Sequence, residues 1–215
     1  MPQHDANLPR ILLATNNPHK VEEINALLEA ARIEARVLSL LDFPHIQLPE
    51  ETGATLEENA LLKAQTAAEY TGLTAIADDS GLEVEALGGA PGVQSKRFAG
   101  ETATDPQRYG KLLELMKDVP EGKRQARFRC CIAIVSPGAE PVVLEGIVPG
   151  RIAFCPFGEH GFGYDPVFMP TGMDVTMAQL PLAEKNKISH RSRALHAALP
   201  VIKRILSEQT NISPQ

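Results

Sequence analysis

The order of segments in this chain predicts an α/β protein with a mixed β-sheet and flanking helices. Three observations carry the prediction. Short apolar runs alternate with capped, helix-periodic segments over the first half of the chain. Two long apolar runs, Phe128 to Val135 and Val142 to Val148, flank a Ser136-Pro137-Gly138-Ala139 turn region and read as paired strands. An amphipathic stretch beginning after Ser189 closes the chain.

Arg10 to Thr15 is apolar enough to be a buried first strand, and Asn17 then caps a helix with Pro18 at its first position, where a missing N–H costs nothing. Val21, Ile24, Leu27 and Leu28 recur along it at helical spacing. Ala35 to Leu40 is a second strand, followed by a loop rich in Pro and acid. Thr55-Leu56-Glu57-Glu58 is a capping box for a helix through about Tyr70, ended by Gly72. The strand Leu73 to Ala77 follows and leads into Asp78-Asp79-Ser80-Gly81. Gly88-Gly89-Ala90-Pro91-Gly92 predicts an irregular loop. Thr104-Asp105-Pro106-Gln107 opens a third helix with Leu112, Leu113, Leu115 and Met116 on its apolar side. Ser189 caps a last helix with a Leu195, Leu199, Ile202, Leu206 stripe.

Length and composition set the bounds. With 215 residues, 43% hydrophobic and 22% charged, the chain fits one globular domain over 10–207, preceded by a disordered lead at 1–9 and followed by a tail at 208–215. A net charge of -6 argues against a dedicated nucleic-acid binder, though a small phosphorylated ligand needs only local positive charge. Cys130, Cys131 and Cys155 cannot all pair and have no metal-ligand spacing, so they read as reduced thiols. No apolar stretch approaches the roughly 18 residues of a membrane helix, and the N-terminus lacks a signal pattern. A cytoplasmic protein without a membrane partner is the expectation.

The chemistry concentrates in a few places. Asp78 and Asp79 are adjacent carboxylates at the end of a buried strand, where like charges raise each other's pKa unless a cation relieves them. A divalent ion would do so and create a reaction centre. The plainer alternative is a turn with Gly81 at positive φ. Thr15-Asn16-Asn17-Pro18-His19-Lys20 joins strand to helix, where amide groups and the helix dipole favour an anion. Lys20 opposes that dipole, so something negative should compensate it. Gly161-Phe162-Gly163-Tyr164-Asp165-Pro166 pairs glycines with aromatics able to stack on a base. Glu184 to Arg191 is dense in hydrogen-bond donors; solvated charge is its plainer reading.

Taken as an ordered set, these segments are specific. Thr15-x-Asn17-x-x-Lys20, Glu58-Asn59-Ala60-x-x-Lys63-Ala64, Ala77-Asp78-Asp79-Ser80-Gly81-Leu82, Gly88-Gly89-Ala90-Pro91-Gly92-Val93, Gly161 to Pro166 and Ser189-His190-Arg191 closely resemble the inosine/xanthosine triphosphate pyrophosphatase family, from about Arg10 to Leu206. The resemblance implies a long mixed sheet with two lobes around a central cleft, a homodimer, and Mg²⁺-dependent hydrolysis of ITP, dITP and XTP to monophosphate and pyrophosphate. It makes Asp79 the catalytic residue and a metal ligand, with Glu50 the second metal carboxylate and Glu51 the competing register. It gives Thr15, Asn16, Asn17, Pro18, His19 and Lys20 to the triphosphate, with Ser80 and Lys185 close by. Phe162, Gly163, Tyr164, Asp165, His190 and Arg191 form the base end, and Lys63 and Arg97 are further phosphate contacts. Two other readings stay open: a Mg²⁺-dependent hydrolase of pyrimidine or modified nucleotides, and a nucleotide sensor without turnover.

Overall fold

The computed structural model describes residues 8–212. Positions 1–7 of the expected lead and 213–215 of the expected tail lie outside the described residues. The elements run β1 (Arg10–Leu13), α1 (Pro18–Ala30), β2 (Arg36–Ser39), α2 (Leu56–Thr71), β3 (Thr74–Val84), β4 (Pro91–Gly92), α3 (Asp105–Leu115), β5 (Gln125–Val135), β6 (Val142–Ile152), β7 (Phe168–Pro170), α4 (Leu182–Ile188) and α5 (His190–Ile212). One seven-stranded sheet has the order β2-β1-β3-β5-β6-β7, with β4 paired to β3 off that path. β1 is parallel to both β2 and β3, while β4 and β7 pair antiparallel, so the sheet is mixed as expected.

The chain divides into two compact units. The first comprises Met1–Asp79, Cys131–Glu145 and Ala194–Gln215. Its sheet is buried on both faces: Ile11, Leu12 and Leu13 are all interior, which is the mark of a parallel strand covered on both sides. Ile24 and Leu28 of α1, the alanines Ala60, Ala64 and Ala67 of α2, and Ala194, Ala198, Ile202 and Leu206 of α5 supply buried apolar side chains. The second unit comprises Ser80–Cys130 and Gly146–Arg193, with a core built on Leu82, Val84, Leu112, Met116, Phe128, Phe168 and Met177. Arg124 is buried there and donates to the carbonyls of Met116, Val119, Ile152 and Ala153, so the guanidinium satisfies backbone that would otherwise be stranded.

Local chemistry explains the boundaries. Thr55 accepts the Glu58 amide at 3.1 Å, but Glu58 turns outward and takes the Ala54 amide at 2.6 Å, so the predicted box closes one residue earlier than drawn. Thr104 and Gln107 form the full reciprocal box on α3. Leu115, expected on the apolar side of α3, is 52% exposed at the end of the helix, whereas Leu112 and Met116 are buried in the core and Leu113 packs against it. α4, β4 and β7 were not expected, and β4 falls at the end of the Gly88–Gly92 segment read as an irregular loop; α4 precedes Ser189, whose hydroxyl accepts the Ser192 amide and starts α5.

The largest difference lies in β3. The turn expected at Asp78-Asp79-Ser80-Gly81 is absent, and the strand continues to Val84. Gly81 serves close approach: a Cβ there would collide with the Gly92 carbonyl of β4, and Ser95 Oγ would lie 3.3 Å away.

Candidate active site

In the first unit, pairing of β1 with β3 ends at Leu13 opposite Ile76, and the next residues of both strands carry the chemistry. The carboxyl ends of parallel strands are where α/β sheets bind ligands, because helix N-termini gather there. β1 leads through Thr15 into α1; Thr15 Oγ1 accepts the Asn17 amide at 3.1 Å, and its carbonyl takes the Leu40 amide at 3.1 Å. Asn16, Asn17 and Pro18 are exposed, and His19 lies in the first turn of α1. Lys20 has the compensating negative group its position demanded: its Nζ lies 2.6 Å from Oδ1 of buried Asp78.

Asp79 is held from α2. Asn59, fully buried, accepts the Gly53 amide at 2.7 Å through Oδ1, which orients its Nδ2 to donate to Asp79 Oδ2 at 3.0 Å. Lys63, one turn on, donates to Glu51 Oε1 at 2.8 Å and the Asp78 carbonyl at 2.7 Å, and lies 3.7 Å from Asp79 Oδ1. Burial, the largest single influence on Lys63, pushes its pKa down; Asp79, Asp78 and Glu51 together outweigh it and hold the ammonium above its ordinary 10.5. Asp79 therefore faces an amide donor and a cation, the surroundings an ionised carboxylate wants. Glu50 is exposed, whereas the adjacent Glu51 is the carboxylate engaged by Lys63.

The second unit holds a second cluster. Ser80, partly buried on β3, is the first residue of this unit. The turn Gly161 to Asp165 is pinned by Asp165, which is buried, takes the Phe162 amide at 2.9 Å through Oδ2 and pairs with the Lys185 ammonium through the same oxygen. Lys185 Nζ also stands 4.5 Å from the Phe162 ring centre, and Arg191 Cζ stands 5.9 Å from it. Phe162 is 56% exposed, so a large aromatic surface with two cations beside it remains open to solvent. Tyr164 turns the other way: it is buried, its OH donates to the Ser95 carbonyl at 2.8 Å, and burial raises its pKa. His190 is buried with its ring stacked on Phe128 at 4.7 Å and 9°. Arg97 engages Gln94 and Glu101.

Predicted residues thus fall into two groups, Thr15–Lys20 with Asp78 and Asp79, and Phe162–Asp165 with Lys185 and Arg191. Asn59 stands in one of the ordered sequence motifs but was given no role there. Its signal was present: Asn59 and Lys63 lie on the same face of α2 as Leu56, Ala60, Ala64 and Ala67, and polar residues on a buried stripe need partners.

The model of the Ham1 family matches residues 11–201. This chain belongs to the Ham1 family. A curated relative from Elusimicrobium minutum named dITP/XTP pyrophosphatase is 46% identical over 196 residues, covering 90% of this chain and 100% of that one. A solved Ham1 protein from Coxiella burnetii superposes with a TM-score of 0.84 at 41% identity, covering 94% of this chain and 100% of the other. A second, the nucleoside-triphosphatase / dITP/XTP pyrophosphatase from Mycobacterium abscessus, gives 0.77 at 44% identity, covering 90% and 99%. The expected mixed α/β architecture is that of these Ham1 neighbours. Among the described residues no helix is long and apolar enough to cross a membrane.

Proposed function

We propose that this Ham1 chain hydrolyses non-standard purine nucleoside triphosphates, dITP, ITP and XTP, to the monophosphate and pyrophosphate. The observation that carries the reading is Asp79, oriented by Asn59 and flanked by Lys63, beside the Asp78–Lys20 pair. A binding module has no use for a carboxylate so carefully aimed; a hydrolase uses it as a base. The names borne by relatives aligned over nine-tenths of the chain give the substrate class.

The donor set fits magnesium. Carboxylate oxygens are hard ligands of the kind Mg²⁺ takes. An ion held by two carboxylates, with phosphate and water completing its shell, is the pattern Mg²⁺ favours. Asp79 would hold it together with Glu50 or with Glu51, which shares the Lys63 ammonium with Asp79. When bound, the ion supplies Lewis-acid neutralisation of phosphate oxygens.

The chain's own residues do the rest. Asp79 accepts a proton from the water that attacks the α-phosphorus. Asn59 orients the carboxylate through Oδ2, and Lys63 sets a cation 3.7 Å from Oδ1. Thr15 to Lys20, with the amides of the α1 N-terminus, meet the charge that grows on departing pyrophosphate. Ser80, next to Asp79 in sequence, joins the phosphate contacts. Phe162 stacks on the purine, and Arg191 or a backbone N–H meets the C6 oxygen of hypoxanthine or xanthine, with His190 and Lys185 bracing that end. Adenine presents a donor at C6, and donor facing donor costs about 1–3 kcal/mol per unpaired buried group. The protein is read as a cytoplasmic homodimer, where such nucleotides would otherwise reach polymerases.

The test is product analysis with dITP, XTP, dATP and dGTP, with and without Mg²⁺. Pyrophosphate from dITP and XTP only when the ion is present supports the reading. Orthophosphate as product, or equal turnover of dATP, removes it.

A further inference from the structure

The turn that carries Phe162 is held from outside as well as by Asp165. Asp105, the first residue of α3, accepts the Gly163 amide through Oδ2 at 2.7 Å, while its Oδ1 is bound by the Arg108 guanidinium. Arg108 in turn donates to the Lys96 carbonyl at 2.7 Å through Nε. One residue along, the Tyr164 hydroxyl donates to the Ser95 carbonyl at 2.8 Å. Ser95 is itself fixed, its Oγ donating to the Gly92 carbonyl at 2.6 Å and accepting the Leu82 amide at 2.9 Å. The start of α3 and the segment around Ser95 therefore grip the turn at two successive residues, from a carboxylate and from a carbonyl.

The grip acts on a specific degree of freedom. The N–H of Gly163 belongs to the Phe162–Gly163 peptide plane, so an acceptor fixed at 2.7 Å stops that plane from rotating. Gly163 sits at φ +64 and, as glycine, has other φ values open to it at little cost. The carbonyl of the same plane accepts the Asp165 amide at 3.2 Å, so the Asp105 bond is the shorter of its two tethers; without it the plane is held from one side only, and the turn that presents the Phe162 ring loosens. Asp105 is also acidic at a helix N-terminus, where it would stabilise α3 in any case. A carboxylate needed only for that purpose has no reason to meet a glycine amide 58 residues away.

We infer that Asp105 is a positioning residue for base recognition: through the Gly163 amide it holds the face of Phe162 at the orientation that stacks on the purine. The inference rests on the proposed nucleotide reading and touches none of its reacting atoms. Asp105 is thus a specificity determinant outside the ordered motifs that mark the family in the sequence.

The experiment compares Asp105→Ala, Asp105→Asn and Tyr164→Phe with the parent. The Thr104–Gln107 capping box survives in all three, so α3 keeps its start. Losing a charge-assisted bond predicts a KM for dITP raised about tenfold in Asp105→Ala, with kcat within about twofold. The preference for dITP over dATP falls in parallel, which loss of helix stability alone would not produce. Asp105→Asn keeps an oxygen for the Gly163 amide and recovers most of the KM, and Tyr164→Phe shifts KM in the same direction. Amide hydrogen exchange over 158–167 is measured on the same proteins and rises in Asp105→Ala. An unchanged KM and base preference in Asp105→Ala, or Asn and Ala variants behaving alike, overturns the inference. If the parent itself releases no pyrophosphate from dITP, the functional reading fails instead. Exchange over 158–167 that is unaltered in Asp105→Ala then overturns the tether independently.

Discussion

Gly161→Ala isolates the buried pair beneath the base-end turn. Gly161 has φ +78, and a Cβ there would overlap Asp165 Oδ2 and come within 3.0 Å of Lys185 Nζ. The left-handed conformation costs an alanine about 1–2 kcal/mol. Displacing Asp165 from Lys185 adds more, because both are buried, and fully breaking such a pair costs about 3–5 kcal/mol. Gly163→Ala is the matched control: its φ is +64 and nothing lies within 4 Å of its added Cβ, so it bears the conformational cost alone. The difference between the variants measures the pair. We expect Gly161→Ala to be less stable than Gly163→Ala by at least about 2 kcal/mol, which in a chain of this size is about 4–8 °C in Tm. Its KM for dITP should rise as well, since the Phe162 amide hangs on the same Asp165 oxygen. Thermal unfolding of both variants beside the parent, with KM on the same preparations, is the assay. Equal Tm and KM values in the two variants would show that the Asp165–Lys185 pair does not anchor the turn.

Other outcomes follow from the first unit and from the sheet. Asp79→Asn should lower kcat by about 10²–10⁴-fold with little change in KM, the range for loss of a general base, and parental turnover would remove that role. Asn59→Ala frees Asp79 to rotate and strands the Gly53 amide; kcat should fall while Mg²⁺ still supports what activity is left, and an unaltered kcat counts against orientation by Asn59. Lys63 has a raised folded pKa, so its contribution to stability is complete below 10.5 and is lost as pH rises through the folded value. The stability gap between parent and Lys63→Met should therefore narrow only in strong alkali, and a gap that closes near neutrality contradicts the charged assignment. Glu83 behaves in the opposite sense: burial opposes its ionisation, but Arg129 and Arg127 win and hold it below its ordinary 4.5. Its contribution is present above that value and lost as pH falls through the folded one, so Glu83→Gln should be less stable than the parent at pH 7 and match it in acid, as read by denaturant unfolding.

How much of this was legible in the sequence depends on whether the cause was local. Caps are local, so Thr55 and Thr104 marked their helices correctly. Buried parallel strands are continuous apolar runs, so β1 was visible within two residues at its end. β3 was not, because two carboxylates and a glycine look like a turn to any short-range rule. β4 pairs with the strand beyond them, at Leu82 and Glu83, and Lys20 and Lys63 engage the carboxylates; all of these partners are distant in the chain. The same limit explains Asp105: in sequence it is a helix-start acid, and only folding brings Gly163 to it. Solvated charge was the plainer reading of Glu184 to Arg191, since nothing near His190 in sequence announces that Phe128 will cover it. Residue types of the candidate site were readable; their pairings were not.

Hydrolysis of dITP in ¹⁸O-water, with the products resolved by mass, tests the central claim most directly. Water directed by Asp79 onto the α-phosphorus predicts label in the nucleoside monophosphate and none in pyrophosphate. Label in pyrophosphate or in released orthophosphate would mean that another phosphorus is attacked, and the roles given to Asp79 and Lys20 would not stand.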